Sequence, residues 1–184
     1  PIIIDSEPET WNMCPELLKA AIEDRISKGK KPKAIIVVNI YGMPAKLDLI
    51  EQIAQEFDIP LIEDAAESLG SKFNNKMTAS FGEMGILSFN GNKIITTSGG
   101  GALVSDNEEY IKNARHLATQ ARDNFPYYHH TKIGYNYRMS NVLAGIGRGQ
   151  LEVIDDRVNA KRDIFEFYKM VFNNIEGVSF CEEP

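Results

Sequence analysis

Two side chains in this sequence have the type and setting to do chemistry. Asp64 closes the run Pro60-Leu61-Ile62-Glu63-Asp64, and Lys93 stands 29 residues later, ahead of Ile94-Ile95 and the run Gly99-Gly100-Gly101. A carboxylate at the carboxyl end of a parallel strand lies where open α/β sheets gather ligand-binding groups. By position alone, Asp64 reads equally well as a helix N-cap or a solvated loop acid. A lone lysine is ordinarily solvated, but this one is set among apolar residues and glycines. Together the two meet the demands of pyridoxal phosphate chemistry. The cofactor draws off electrons only when its ring nitrogen is protonated, a state that an opposite charge within about 4 to 6 Å favours, and Asp64 can supply that charge. Its aldehyde must be held by an amine that later carries a proton at the substrate carbon, and Lys93 can do both. Ser88, five residues before the lysine, offers a hydroxyl to a phosphate. The glycine run fits close backbone approach, positive φ, or simply a tight connection between strands.

These groups need elements to hold them. Pro1-Ile2-Ile3-Ile4-Asp5 reads as a strand, and Cys14, Leu17, Leu18, Ala21 and Ile22 recur at helical spacing from a start near Pro15. Ala34-Ile35-Ile36-Val37-Val38 is a continuous apolar run, which predicts a strand covered on both faces, as in a parallel sheet. After the breakers Gly42 and Pro44, Ile50, Ile53, Ala54 and Phe57 form a helical stripe, and residues 60–64 return as a second buried strand, completing a βαβ unit. Short strands are expected at 85–89, 93–97 and 102–105, between Gly and Asn turns. A helix from Asn107 to about Ala121 and a polar aromatic loop from Asp123 to Tyr135 follow. Ser140 then caps a helix carrying Leu143, Ile146, Gln150, Leu151 and Ile154, and a further helix covers Val158 to Phe172.

Composition excludes several alternatives. The 184 residues carry 20 basic and 26 acidic side chains, net −6, with 43% apolar residues, which describes one globular unit. That balance gives no electrostatic reason to expect nucleic acid, since the one dense basic run, Lys28 to Lys33, is short. Cys14 and Cys181 are too few for a disulfide framework, lack metal-site spacing, and fit a reducing compartment. No apolar run approaches the roughly 18 to 20 residues that span a bilayer, so the expectation is a cytoplasmic protein without a membrane partner.

Three blocks resemble one family. Ile62-Glu63-Asp64-Ala65-Ala66-Glu67-Ser68-Leu69-Gly70 comes first, then Ser88-Phe89 through Lys93 to Thr96-Thr97-Ser98-Gly99-Gly100-Gly101, then Gly134-Tyr135-Asn136-Tyr137-Arg138-Met139. They stand in the order found in the DegT/DnrJ/EryC1/StrS sugar aminotransferases, and the likeness extends over nearly the whole chain. The form Ser-Phe-Asn-Gly-Asn-Lys followed by Thr-Thr-Ser-Gly-Gly-Gly is most similar to enzymes that aminate C4 of UDP-linked 4-keto-6-deoxy-N-acetylhexosamines, as in the UDP-N-acetylbacillosamine pathway.

The resemblance implies an α/β fold, part of a fold-type I PLP-dependent transferase large domain, with a mostly parallel sheet and flanking helices. Residues 1–184 would be its central part. An upstream portion bearing a phosphate-binding Gly-Thr loop and a ring-stacking aromatic residue would lie outside this sequence, as would a C-terminal small domain. It further implies pyridoxal 5'-phosphate as cofactor, L-glutamate as amino donor, a nucleotide-linked keto sugar as acceptor, and a homodimer with sites at the subunit interface. Residue by residue, Asp64 matches the ring-nitrogen carboxylate, Ser88 a phosphate ligand and Lys93 the Schiff-base lysine. Asn136 matches a residue that reaches the phosphate of the partner subunit's cofactor, although alone it reads as a loop residue ahead of a helix. Glu67 stands near the cofactor's ring hydroxyl where many members have Gln, and Gly99 replaces a Glu found in many. A branch that dehydrates sugars has His in place of the lysine, so Lys93 argues against that reaction.

Two weaker features remain. Tyr127, Tyr128, His129 and His130 form a polar aromatic surface loop able to meet a sugar nucleotide, but the adjacent histidines lack the spacing of a helical metal pair. Tyr41-Gly42-Met43-Pro44 follows a strand end and resembles a segment lining the family's substrate side, or is a plain turn. A regulatory binding protein on the same scaffold is the alternative to an enzyme. A receiver-like domain with Asp64 as phosphoacceptor does not suit the short strands around Lys93.

Overall fold

The computed structural model describes residues 1–183. Its elements in chain order are α1 (Pro15–Ser27), β1 (Ile35–Val38), α2 (Leu47–Glu56), β2 (Leu61–Asp64), the hairpin β3 (Lys72–Phe73) and β4 (Lys76–Met77), β5 (Met84–Ser88), β6 (Gly101–Val104), α3 (Glu108–Ala118), α4 (Asn141–Leu151) and α5 (Ile154–Phe172). Proline at the first helical position starts α1, where its missing N–H costs nothing. Asn107 caps α3 by accepting the N–H groups of Glu109 and Tyr110, and Ser140 caps α4 by accepting that of Leu143.

The main sheet has the order β1-β2-β5-β6. β1, β2 and β5 are parallel and β6 is antiparallel to β5, so the sheet is mostly parallel. The β1-α2-β2 segment is the βαβ unit read from the sequence. The short hairpin turns through Asn74 and Asn75, both at positive φ, a conformation asparagine tolerates better than most residues.

The core lies on one face of the sheet. Leu18 and Ile22 of α1 and Leu47, Ile50, Ile53 and Ala54 of α2 bury Ile35 and Val37 of β1 together with Leu61 of β2. β1 thereby alternates, and the expectation of cover on both faces is not met: Ile36 is 58% and Val38 45% exposed. In register with these two lie Ile62 and Met84, and then Asp64, Ile86 and Leu103, so a continuous face of the sheet is open among the described residues.

Two further expectations are corrected. Residues 1–5 form no strand; the chain instead folds back through an isolated Ser6–Met13 bridge, and Ile3 is left exposed because no neighbouring strand is there to pair with it. Residues 93–97 are not a strand either, because Thr96 is hydrogen-bonded to a helix side chain and not to a ladder. α5 also begins at Ile154, ahead of the expected Val158.

Candidate active site

Period-two geometry sends neighbouring strand residues to opposite faces, and at the end of β2 it separates two carboxylates by function. Glu63 faces the core, where it is fully buried. Its Oε2 accepts the N–H of Ala79 at 2.8 Å and the Asn39 side-chain amide at 3.4 Å, while Oε1 accepts the N–H groups of Phe81 and of Gly82, the latter at 3.3 Å. Gly85, opposite Glu63 in β5, makes this possible, since a Cβ there would lie 2.3 Å from the Ala79 carbonyl oxygen. Asp64 lies on the open face. Its Oδ1 accepts the Ala66 N–H at 3.1 Å, and its Oδ2 has no hydrogen-bond partner among the described residues.

Ser88 ends β5 two residues beyond Ile86, the register partner of Asp64, so Asp64 and Ser88 share the open face at the carboxyl ends of adjacent parallel strands. The Ser88 hydroxyl oxygen accepts the Asn90 N–H at 3.4 Å. Lys93 lies in the loop that follows, and its side chain is 15% exposed. Its Nζ donates to Glu67 Oε1 at 3.3 Å, and Glu67 Oε2 accepts the Tyr41 N–H at 2.8 Å. The Tyr41 N–H, and after it the Lys93 ammonium, hold the Glu67 carboxyl below the usual carboxylate range against the opposing effect of partial burial.

The turn that presents Tyr41 is itself anchored. Asn12 accepts the Ile40 N–H at 2.8 Å and donates to the Met43 carbonyl at 2.9 Å, while Tyr41 sits at φ 54°. The Tyr41–Pro44 segment thus borders the Glu67–Lys93 pair. Asn12 was not legible as a site residue, because a polar residue in an N-terminal turn carries no periodic signal.

Asn136 is held by a different part of the chain. It forms an isolated bridge with Thr119 and lines an open cleft of about 540 Å³ with Arg122, Asp123, Phe125 and Arg138. No hydrogen bond joins it to Asp64, Ser88 or Lys93 among the described residues. His129 and His130 point to separate partners, Nδ1 of His129 meeting Asp123 at 2.7 Å and Nδ1 of His130 the Gln120 carbonyl at 2.9 Å. Of the glycine run, Gly100 takes φ 94° and Gly101 lies against the Leu87 carbonyl, whereas Gly99 has open space around it. Among the described residues no cluster of His, Cys, Asp and Glu is placed to hold a metal ion, and no helix is long and apolar enough to cross a membrane.

The pair Glu67–Lys93 yields a test in acid. A carboxyl whose folded pKa is depressed stabilises the fold at pH above its unfolded value, about 4.3 for Glu, and loses that contribution as pH falls through the lower folded value. The gap in melting temperature between the native protein and Glu67→Gln is therefore expected to be widest above about pH 5 and to narrow as the pH falls below the unfolded value. A gap independent of pH would show that the charge on Glu67 contributes nothing.

A strand-end carboxylate and hydroxyl thus share the open face of a mostly parallel sheet, and a loop amine is held by Glu67, three residues past that carboxylate. The chain belongs to the DegT/DnrJ/EryC1/StrS aminotransferase family, which it matches over residues 1–184. It is 53% identical over 183 residues to EpsN of Bacillus subtilis (strain 168), by inferred assignment a pyridoxal phosphate-dependent aminotransferase, covering 100% of this chain and 47% of that protein. It is 39% identical over 178 residues to GDP-perosamine synthase of Escherichia coli O157:H7, covering 97% of this chain and 47% of that protein. A crystal structure of a DegT DnrJ EryC1 StrS aminotransferase from Brucella abortus superposes with a TM-score of 0.91 at 32% identity, covering 100% of this chain and 49% of that one. The fold is thus that of the fold-type I transferases, as the resemblance implied. The chain spans about half the length of the curated relatives it matches.

Proposed function

We propose that the protein carrying this chain is a pyridoxal 5'-phosphate-dependent aminotransferase. It moves the amino group of L-glutamate to a nucleotide-linked 4-keto-6-deoxy sugar, UDP-linked and N-acetylated, and acts as a cytoplasmic homodimer in making amino sugars for surface polysaccharide. The observation that carries this reading is the placement of Asp64 and Ser88 on one sheet face, with the Lys93 amine tied to Glu67, three residues beyond Asp64. The donor set fits the cofactor. Asp64 has an oxygen without a protein partner for the ring nitrogen, Ser88 a hydroxyl for the phosphate, and Lys93 an amine for the aldehyde. Glu67 stands by for the ring hydroxyl, and Asn136 for the phosphate of the cofactor bound by a partner subunit.

When bound, pyridoxal phosphate supplies an aldehyde that condenses with amines and a ring that withdraws electrons from the substrate carbon. The chain's residues do the rest. Asp64 holds a proton on the ring nitrogen by its negative charge. Lys93 takes the proton from the donor's α-carbon and returns one at the carbon bearing the incoming amine. Glu67 keeps the free amine in place when it is not covalently engaged. Glutamate leaves as 2-oxoglutarate and the sugar ketone leaves as an amine, so electrons and the amino group balance between the two substrates. We also propose that residues 1–184 are the central part of the large domain, and that the remainder of that domain covers the open face bearing Ile36 and Val38.

A second reading of the acceptor, a GDP-linked sugar, is favoured by the 39% identity to a protein named GDP-perosamine synthase. One experiment separates these. The full-length protein, given pyridoxal phosphate, glutamate and either UDP- or GDP-linked 4-keto-6-deoxy sugars, is expected to release 2-oxoglutarate with the UDP-linked, N-acetylated sugar. Turnover with the GDP-linked sugar alone would replace the first reading by the second. No release with any keto sugar from a cofactor-loaded protein would leave a regulatory binding protein.

A further inference from the structure

The loop that carries Lys93 lacks regular structure, so something other than a strand ladder must hold it. Its ends close on themselves. Phe89 N–H donates to the Gly100 carbonyl at 3.0 Å, Thr97 N–H to the Phe89 carbonyl at 2.9 Å, and Lys93 N–H to the Asn90 carbonyl at 3.1 Å. The middle is held differently. Thr96, three residues past the lysine, donates its N–H to Gln150 Oε1 at 3.0 Å, and Gln150 Nε2 donates to the Thr96 carbonyl.

One side-chain amide therefore satisfies both backbone groups of one residue, as a neighbouring strand does in a sheet. The flanking Ile95 and Thr97 are 1% and 2% exposed, which limits the access of water to Thr96 if Gln150 withdraws. Gln150 belongs to α4, and Gly147, one turn earlier on the same side of that helix, lets it sit close: a Cβ there would lie 3.1 Å from Thr97 Cγ2. Ahead of α4, Met139 packs over Gly100 at the loop's far end. The segment from Met139 to Gln150 thus holds the lysine loop at two points.

We propose that Gln150 is a positioning residue for Lys93: its amide replaces a missing strand partner and sets where the lysine amine meets the cofactor aldehyde. Being a side chain on a helix, this partner can be removed without altering any residue that touches the cofactor. The inference rests on the reading of Lys93 given above. It also explains why a glutamine occupies a helical stripe that is otherwise apolar.

The test uses the full-length protein with pyridoxal phosphate as the probe, in three forms: native, Gln150→Leu and Gln150→Glu. Three quantities are followed: the rate at which borohydride fixes the cofactor to Lys93, read by peptide mass spectrometry; the pH midpoint of the visible absorbance band; and the melting temperature. Gln150→Leu removes both bonds and is expected to slow fixation at Lys93 by about 10- to 100-fold and to move the midpoint, well below its melting temperature. Gln150→Glu keeps an acceptor for the Thr96 N–H while losing the donor to the carbonyl, and is expected to show the same shift in midpoint should the leucine variant not fold. A folded variant of either kind with the native rate and midpoint, whatever its melting temperature, would overturn the inference and leave a structural tie. Native protein that is not labelled at Lys93 would instead overturn the proposed function, and this inference with it.

Discussion

Lys93→Ala is expected to abolish covalent fixation of pyridoxal phosphate and to lower amino transfer by about 10²- to 10⁴-fold or more, the loss typical of removing a general base. The native full-length protein, incubated with the cofactor and reduced with borohydride, should yield one labelled peptide, that containing Lys93. The geometry accounts for the specificity. The other lysines that make ion pairs, among them Lys19, Lys46 and Lys76, meet Glu56, Glu9 and Glu51, whereas Lys93 is paired with Glu67, three residues beyond the end of β2. A surface ammonium is solvated and mobile, while a mostly covered amine held by a carboxylate has a fixed position. Lys93→Arg is expected to be as inactive as the alanine variant, because a guanidinium keeps the charge but does not deprotonate in proteins. Labelling at a different lysine, with amino transfer intact in Lys93→Ala, would remove the assignment.

Much of this architecture was legible because period and breakers agreed. The run Ile35 to Val38, the stripe Ile50 to Phe57 and the run Leu61 to Asp64 define a βαβ unit by pattern alone, and Ser140 announces its helix by capping chemistry. The failures have one physical cause, which is that apolar character specifies burial but not its partner. Pro1 to Asp5 is as apolar as a strand, but no strand adjoins it. Lys93 to Thr97 has the composition of a strand, but its backbone is taken by the Gln150 amide. Ile36 and Val38 are suited to a second covering layer, which the described residues do not supply. For the site, Asp64, Ser88 and Lys93 stood out by type and place. Asn12 and Gln150 each act through a pair of hydrogen bonds to a distant turn, at separations that no local pattern records.

Glu63 is the residue whose loss should damage the fold most. Four N–H donors converge on its two oxygens, two on each, in a site closed to water. A glutamine has the same shape but only one accepting oxygen, so in either orientation its NH₂ group faces donors it cannot satisfy. Each buried donor left unpaired costs about 1 to 3 kcal/mol, so Glu63→Gln, which leaves two, is expected to lose about 2 to 6 kcal/mol in urea denaturation. Glu63→Ala should lose more, adding a cavity to the orphaned N–H groups of Ala79, Phe81 and Gly82. Against a typical total of about 5 to 15 kcal/mol, the alanine variant is expected to fold poorly or not at all. Asp64→Asn, one residue along, alters a carboxylate on the open face with a single protein contact. It is expected to change stability by less than about 1 kcal/mol while weakening cofactor-dependent activity severely. The contrast between neighbours is the decisive measurement, since both follow from the pleat. Equal stability losses at 63 and 64, or a loss at Glu63→Gln below about 1 kcal/mol, would contradict the division of one packed and one chemical carboxylate at the end of β2.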